Sequence, residues 1–408
     1  MPLSSPKFHA KMQLNFIFTY IEGLMIVRQI GVELRRLLAE YPVVTLLGPR
    51  QAGKTTLARG LLDDYEYSNL ESPETRQLAE DDPKAFLTRF KGKVILDEIQ
   101  RVPELLSYIQ VIVDEKPGNG QFLLTGSHQE LRQAITQSLA GRTSILNLYP
   151  FSIEELAKAK ITFDKPEEYI FNGFLPRIYD QGQRPTPAYS NYYQTYVERD
   201  VRQLIHLKDV SHFEKFIKLL AGRTGQLMDY SSLANDVGVS ANTVKHWLSI
   251  LEASFIVYKL PPYFENFGKR VVKSPKYYFM DTGLLAFLLG IERPEQVTRD
   301  PLVGQMFENL VVMECLKYRT NQGKIPNLYF FRDSTGNEVD LICQQGRELV
   351  AIEIKSSTTY RAELLKGLKR INAIAPRVSA SHLIYAGERF EFSSGINALN
   401  YREISTIF

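Results

Sequence analysis

Between residues 43 and 148 short apolar runs alternate with stretches of helical spacing. The runs at 43–47, 65–70, 94–96, 122–125 and 145–148 read as strands. Strands separated by helix-length segments predict βα units and a parallel sheet. Upstream, Leu34, Leu37 and Leu38 carry a helical pattern that begins soon after Met25. The alternation breaks at Tyr149-Pro150, and a helix-rich zone runs from Ser152 to about residue 220, interrupted by turn-rich 181–187. This zone reads as a small helical lid. Residues 230–254 predict helix, turn, helix, with Gly238 in the turn, Ser240 as N-cap and an apolar stripe at Val244, Trp247, Leu248 and Leu251. Strands at 255–260 and 276–280 flank a basic loop, which together suggest a winged helix. After Pro301 the pattern becomes helix (304–318), three strands (328–332, 338–343, 349–356), helix (361–373) and strand (382–386).

The organisation that follows is an extension at 1–24, a sheet core at 25–150, a lid at 151–210, a winged helix at 211–300 and a last α/β domain at 301–408. A chain of 408 residues, 44% of them hydrophobic, suits two or three cores. Its net charge of +3 excludes a diffuse polycation, so any nucleic-acid role must rest on a local patch. Two cysteines, Cys315 and Cys343, exclude a disulfide framework and predict a reducing, cytoplasmic setting. The longest apolar stretch, residues 14–27, is interrupted by Glu22 and Gly23, so no membrane span is expected.

Gly48, Pro49, Arg50, Gln51, Ala52, Gly53, Lys54 and Thr55 form a G-x-x-x-x-G-K-[ST] loop, followed by Thr56, between a predicted strand and a predicted helix. Glycines at its ends let backbone N–H groups turn toward phosphate oxygens. Lys54 would reach the β and γ phosphates, and the Thr55 hydroxyl would hold Mg²⁺. Val94-Ile95-Leu96-Asp97-Glu98 ends a strand in two carboxylates. Asp97 would bind the metal, and Glu98 would polarise the attacking water. The cofactors expected are therefore ATP and Mg²⁺. Ser127, after the strand at 122–125, would sense the γ phosphate or orient water, or else merely form the turn. Arg142, in Leu139-Ala140-Gly141-Arg142, would act as a finger in trans or is a surface cation.

The blocks at 47–56, 95–104, 124–127 and 139–142, with Gly173–Arg177, Tyr196–Asp200, 278–285 and Gly304–Asn309, resemble a prokaryotic AAA+-type P-loop ATPase family. The resemblance covers roughly residue 25 to the C terminus. It implies an α/β fold class: a P-loop NTPase parallel sheet with a helical lid, a winged-helix module and a C-terminal α/β restriction-endonuclease-like domain.

The strand Val350-Ala351-Ile352-Glu353-Ile354-Lys355 puts Glu353 and Lys355 on one face. A two-residue turn at Gly346-Arg347 pairs residues whose numbers sum to 693, which sets Asp340 across from Glu353. Two carboxylates and an ammonium on one patch suit Mg²⁺-dependent phosphodiester chemistry. They equally suit a solvated ion-pair network on a hairpin. The pattern resembles the PD-(D/E)xK nuclease motif, which implies metal ligation by Glu308, Asp340 and Glu353 and catalysis by Glu353 and Lys355.

Nine basic and five acidic residues lie between 210 and 280, four of the basic ones at Lys269, Arg270, Lys273 and Lys276. With Asn242, Thr243, Lys245 and His246 on the second helix they could contact DNA or RNA. The expected activity is ATP hydrolysis coupled to a nucleic-acid-directed, nuclease-like domain. Two other classes stay open: an ATP-gated regulatory or DNA-binding switch with an inactive nuclease-like scaffold, and a self-assembling, homo-oligomeric NTPase acting on proteins.

Overall fold

The computed structural model describes residues 20–21, 24–128, 130–201, 210–264, 272–392 and 395–408. Most of the 1–24 extension, and the loop residues Lys269 and Arg270, therefore lie outside the described residues. So do the side chains of Glu198, Arg199 and Asp200. The chain divides into two compact units, Met1–Ile161 and Thr162–Phe408.

In the first unit β1 (Val43–Leu47), β2 (Glu66–Asn69), β3 (Val94–Asp97), β4 (Phe122–Gly126) and β5 (Thr143–Asn147) form one parallel sheet in the order β2-β3-β4-β1-β5. β1, β3 and β4 are buried at every position, as central strands covered on both faces must be. β5 begins two residues before its apolar run. Thr143 extends it along β1 through a hydroxyl contact with Thr45 at 3.2 Å, a signal that apolar spacing does not carry. α1 (Ile30–Glu40) turns Ile30, Leu34, Leu37 and Leu38 into the core, and α2 (Lys54–Leu61) follows the loop after β1. Because β4 lies between β1 and β3, the carboxyl ends of three adjacent strands open onto one crevice.

In the second unit α3 (Val210–Ala221), α4 (Tyr230–Val237) and α5 (Ala241–Ala253) pack around Trp247, whose ring lies 5.6 and 5.2 Å from those of Phe213 and Phe216. Gly238 closes α4 at φ +94°, and the Ser240 hydroxyl caps α5 by accepting the Thr243 N–H at 3.1 Å. β6 (Val257–Leu260) and β7 (Lys276–Phe279) pair antiparallel. The stretch 181–187 is not all turn, since a helix starts at Pro185, whose missing N–H is harmless in a first turn. α6 (Thr282–Leu288) follows β7.

α7 (Val303–Asn321) precedes β8 (Leu328–Arg332), β9 (Glu338–Gln345) and β10 (Glu348–Lys355); α8 (Lys366–Ile374) then leads to β11 (Val378–Tyr385). β12 (Phe390–Glu391) and β13 (Ile396–Asn400) complete a sheet ordered β8-β9-β10-β11-β13-β12. The first three strands are antiparallel, and β10, β11 and β13 run parallel. The β9–β10 register runs from Gln345 opposite Glu348 to Leu341 opposite Ile352 around Gly346 at φ +62°. Beyond Leu341 the ladder gives way, and the Asp340 carboxylate itself accepts the Ile354 N–H at 2.8 Å.

Candidate functional site

Gly48 sits so close to Leu148 that a Cβ there would lie 2.0 Å from its carbonyl oxygen, which restricts the loop's first position to glycine. Gly53, at φ +89°, turns the chain into α2. Buried Lys54 lays its ammonium on the carbonyls of Gly48 and Pro49 at 2.9 and 2.8 Å. Burial pulls that ammonium below its ordinary pKa, against the raising charges of Glu98 and Asp97. Arg50 leans toward Glu71 at 3.7 Å, so this loop side chain already has a carboxylate partner. Gln51, at φ +62°, and Ala52 complete the bend, and Thr56 follows in the first turn of α2.

Asp97 ends β3 beside the loop. Its Oδ2 accepts hydrogen bonds from the Thr55 hydroxyl and the Tyr67 hydroxyl, both at 2.8 Å, and its Oδ1 from Thr125. Glu98 is held at φ +59° and accepts from Gln100 and, at 3.2 Å, from Ser127. Gln100 also reaches Ser127 at 3.0 Å. The structure thus brings Lys54, Thr55, Asp97, Glu98 and Ser127 into one crevice. Sequence reasoning assigned no role to Tyr67, Thr125 or Gln100. The polar residues interrupting the apolar runs of β2 and β4 were the available signal.

Arg142 is not brought there. It precedes β5 at the amino end of the sheet, opposite the loop, and its guanidinium donates to both Asp114 oxygens at 2.6 and 2.8 Å. The two readings of Arg142, a finger in trans or a surface cation, stay as expectations, and the structure adds the Asp114 pair. Arg28, which sequence reasoning passed over, lies instead against the loop. It is 1% exposed and donates to the Ala52 carbonyl at 2.7 Å, the Tyr149 carbonyl at 2.5 Å and the Glu155 carboxylate at 3.2 Å. Glu155 in turn accepts the N–H groups of Gln29 and Ser152.

In the second unit Lys355 donates to Asp340 at 2.9 Å and lies 2.8 Å from Glu353, so these three converge. Burial, and then the Asp340 charge, push the Glu353 carboxyl up to about 8. Glu308 comes near but faces β7: its Oε1 accepts from Lys276 at 3.0 Å and the Tyr278 hydroxyl at 2.5 Å. Among the described residues no group of three His, Cys, Asp or Glu side chains is arranged to hold a metal ion. The Glu308–Asp340–Glu353 metal set stays an expectation; Glu308 is turned to Lys276 and Tyr278, and Lys355 contacts both Asp340 and Glu353. On α5, Asn242, Lys245 and His246 are exposed, whereas half-buried Thr243 is engaged in the Ser240 cap at 2.8 Å.

Residues 40–157, which hold the loop and both Asp97 and Glu98, match a family model described as AAA domain. Residues 163–295 and 303–404 match models described as domains of unknown function, DUF8612 and DUF4143. Over 386 residues the chain is 31% identical to "Uncharacterized protein Rv2008c" of Mycobacterium tuberculosis, spanning 93% of this chain and 84% of that one. The chain belongs to that protein's family. It is a prokaryotic P-loop ATPase family, with a further relative in Haemophilus influenzae at 26% identity, 66% of this chain and 68% of the relative. Another, MJ1637 of Methanocaldococcus jannaschii, is 22% identical over 81% of this chain and 79% of its own. Among solved structures, a Walker-type ATPase of Pyrococcus abyssi aligns at a TM-score of 0.45 and 15% identity, over 66% of this chain and 98% of that one. Among the described residues no helix is long and apolar enough to cross a membrane.

Proposed function

We propose that this P-loop ATPase hydrolyses ATP with Mg²⁺ at the carboxyl end of β1, β3 and β4, and that the second unit responds to the nucleotide as a switch. The observation that carries the ATPase site is the Thr55 hydroxyl donating to Asp97 at 2.8 Å, with Glu98 held one residue further on. Thr55 and Asp97 would hold Mg²⁺. Such an ion would neutralise charge on the transferring phosphoryl group. Lys54 exchanges the carbonyls of Gly48 and Pro49 for β and γ phosphate oxygens. Glu98 takes the proton from water, and Ser127 and Gln100 hold its carboxylate. Lys54→Ala and Glu98→Gln test this reading. The first should abolish nucleotide binding; the second should keep binding and lower turnover by about 10²–10⁴. Unchanged turnover in both variants would remove the proposal.

For the second unit we favour a scaffold that contacts nucleic acid through α5 and the β6–β7 hairpin, read as a winged helix. The charge cluster around Asp340 supports that choice, because Lys276 and Lys355 each contact two of its carboxylates. A nuclease reading retains one specific support, the Asp340–Lys355–Glu353 contacts at 2.9 and 2.8 Å on a helix, three strands, helix, strand order that resembles restriction endonucleases. Incubating wild type and Asp340→Ala with DNA and RNA, Mg²⁺ or Mn²⁺, and with or without ATP separates the two. Salt-dependent binding without cleavage supports the scaffold, and cleavage lost in the variant supports the nuclease.

A further inference from the structure

The two edges of the C-terminal sheet differ. The chain itself closes β8: the Phe330 N–H donates to the Pro261 carbonyl at 3.1 Å, and the Phe330 carbonyl accepts the Tyr263 N–H at 2.7 Å. β12, at the opposite edge, has β13 on one side, and among the described residues no strand pairs with its outer side. Arg389, Phe390 and Glu391 are all exposed there, Phe390 by 56%. An open row of N–H and C=O groups is a template for another strand.

This edge is held from behind. Gly387 approaches the segment 356–360 so closely that a Cβ would stand 2.4 Å from the Thr358 carbonyl oxygen. The Asn400 amide donates to the Gly387 carbonyl at 2.8 Å, and the Tyr385 hydroxyl donates to the Glu388 carbonyl. The Phe392 ring packs on the core that contains Leu368 and Ile371 of α8, and lies 4.8 Å from the Phe390 ring and 4.6 Å from that of Tyr360. Phe390 therefore shares the α8 face, and strand alternation puts Arg389 and Glu391 on the other. The Phe392 N–H donates to the Ile396 carbonyl at 3.1 Å. Phe390, two residues back, thus also turns its backbone groups to β13, while Arg389 and Glu391 turn theirs outward.

That pattern is complementary to itself. Two copies set antiparallel about a two-fold axis at Phe390 place Phe390 against Phe390 as a non-hydrogen-bonded pair, where side chains come closest. Arg389 of each copy then faces Glu391 of the other, and each such pair exchanges both of its backbone hydrogen bonds. Aromatic pairs and opposite-charge pairs are the favourable cross-strand neighbours. Edge strands kept single by charge typically carry lysine, which repels its own copy. Here the charges flanking an exposed phenylalanine have opposite signs, and they already pair within the chain at 3.1 Å.

We propose that β12 is a self-association edge: a second copy of this chain pairs with it antiparallel about Phe390, and the two C-terminal sheets become one. Neither the nucleotide site nor a nucleic acid takes part in this contact.

The test is sedimentation velocity of the full-length, nucleotide-free protein over a range of concentrations. Wild type should show a concentration-dependent equilibrium between monomer and dimer. Arg389→Glu and Glu391→Arg each turn both charge pairs into like charges, so each should weaken the dimer about tenfold or more. Mixing the two variants should restore it, because each chain then meets opposite charges on the other. The double variant Arg389→Glu with Glu391→Arg should restore it in a single species, and Phe390→Asp should abolish it. Unchanged circular dichroism and ATP turnover serve as the folding control for these exposed positions. Wild type that stays monomeric at every concentration overturns the proposal. So does a dimer that Arg389→Glu and Phe390→Asp leave intact, or one that the single variants lose and neither the mixture nor the double variant recovers.

Discussion

Arg28 and Gln100 are among the side chains by which the first unit holds its loop and its base. Arg28 pairs with Glu155 in a fully buried contact and donates to the carbonyl of Ala52 inside the phosphate loop. Removing one partner of such a pair leaves an uncompensated charge, a loss of about 3–5 kcal/mol. Arg28→Ala should therefore lower the thermal midpoint sharply, and nucleotide affinity with it, while Arg36→Ala, an exposed pair on α1, should change the midpoint little. Calorimetry with and without nucleotide measures both. Gln100 makes a different kind of prediction. It donates to Glu98 and to Ser127, so Gln100→Ala leaves the carboxylate with the Ser127 hydroxyl and loosens it without touching the loop. We expect kcat to fall about tenfold with KM unchanged, a fraction of the 10²–10⁴ that acid–base catalysis supplies. A rise in KM with kcat intact would mean that Gln100 binds nucleotide rather than positioning Glu98.

At the scale of elements, caps and strand ends explain what the sequence made legible. Ser240 and Gly238 are local signals whose meaning does not depend on the rest of the chain, and α4 and α5 end where they predict. Ser240→Ala should cost about 1 kcal/mol, read as a shifted denaturant midpoint with an unchanged slope. β1, β3 and β4 were equally legible, because burial on both faces leaves an unbroken apolar run. β13 was not: Ile396-Asn397-Ala398-Leu399-Asn400 becomes a strand by pairing with β11, a contact made across the fold. The site divides in the same way. The loop and the Asp97–Glu98 pair declare themselves by spacing, whereas Arg28 reaches Glu155 across 127 positions. Two blocks behind the family resemblance turn out to be joints. Asp281 caps α6, accepting the Gly283 N–H at 2.8 Å, and also accepts the Phe174 N–H at 3.0 Å and the Tyr189 hydroxyl at 2.6 Å. Asp281→Asn must set an amide N–H against one of those donors. It should lose about 1–3 kcal/mol, seen as a lower thermal midpoint with ATP turnover unaffected.

For the whole molecule, two compact units with separate cores predict two unfolding transitions. Only one of them contains the phosphate loop. A ligand that binds the folded form alone adds RT ln(1 + [L]/Kd), which is about 2.7 kcal/mol at a hundredfold excess over Kd. ATP with Mg²⁺ should therefore raise the transition of the unit that holds the loop, and through the proposed switch shift the other by a smaller coupling energy, and Lys54→Ala should abolish both shifts. Without nucleotide, the Asp281 and Ser240 variants should move only the transition of the second unit, because both residues lie there. This cross-pattern also decides whether the units communicate. If ATP lifts both transitions in wild type and neither in Lys54→Ala, the second unit senses nucleotide through a coupling free energy, and that energy equals the shift of its transition. If the second transition stays fixed at saturating ATP, the switch proposed for the second unit is wrong, whatever the first unit hydrolyses.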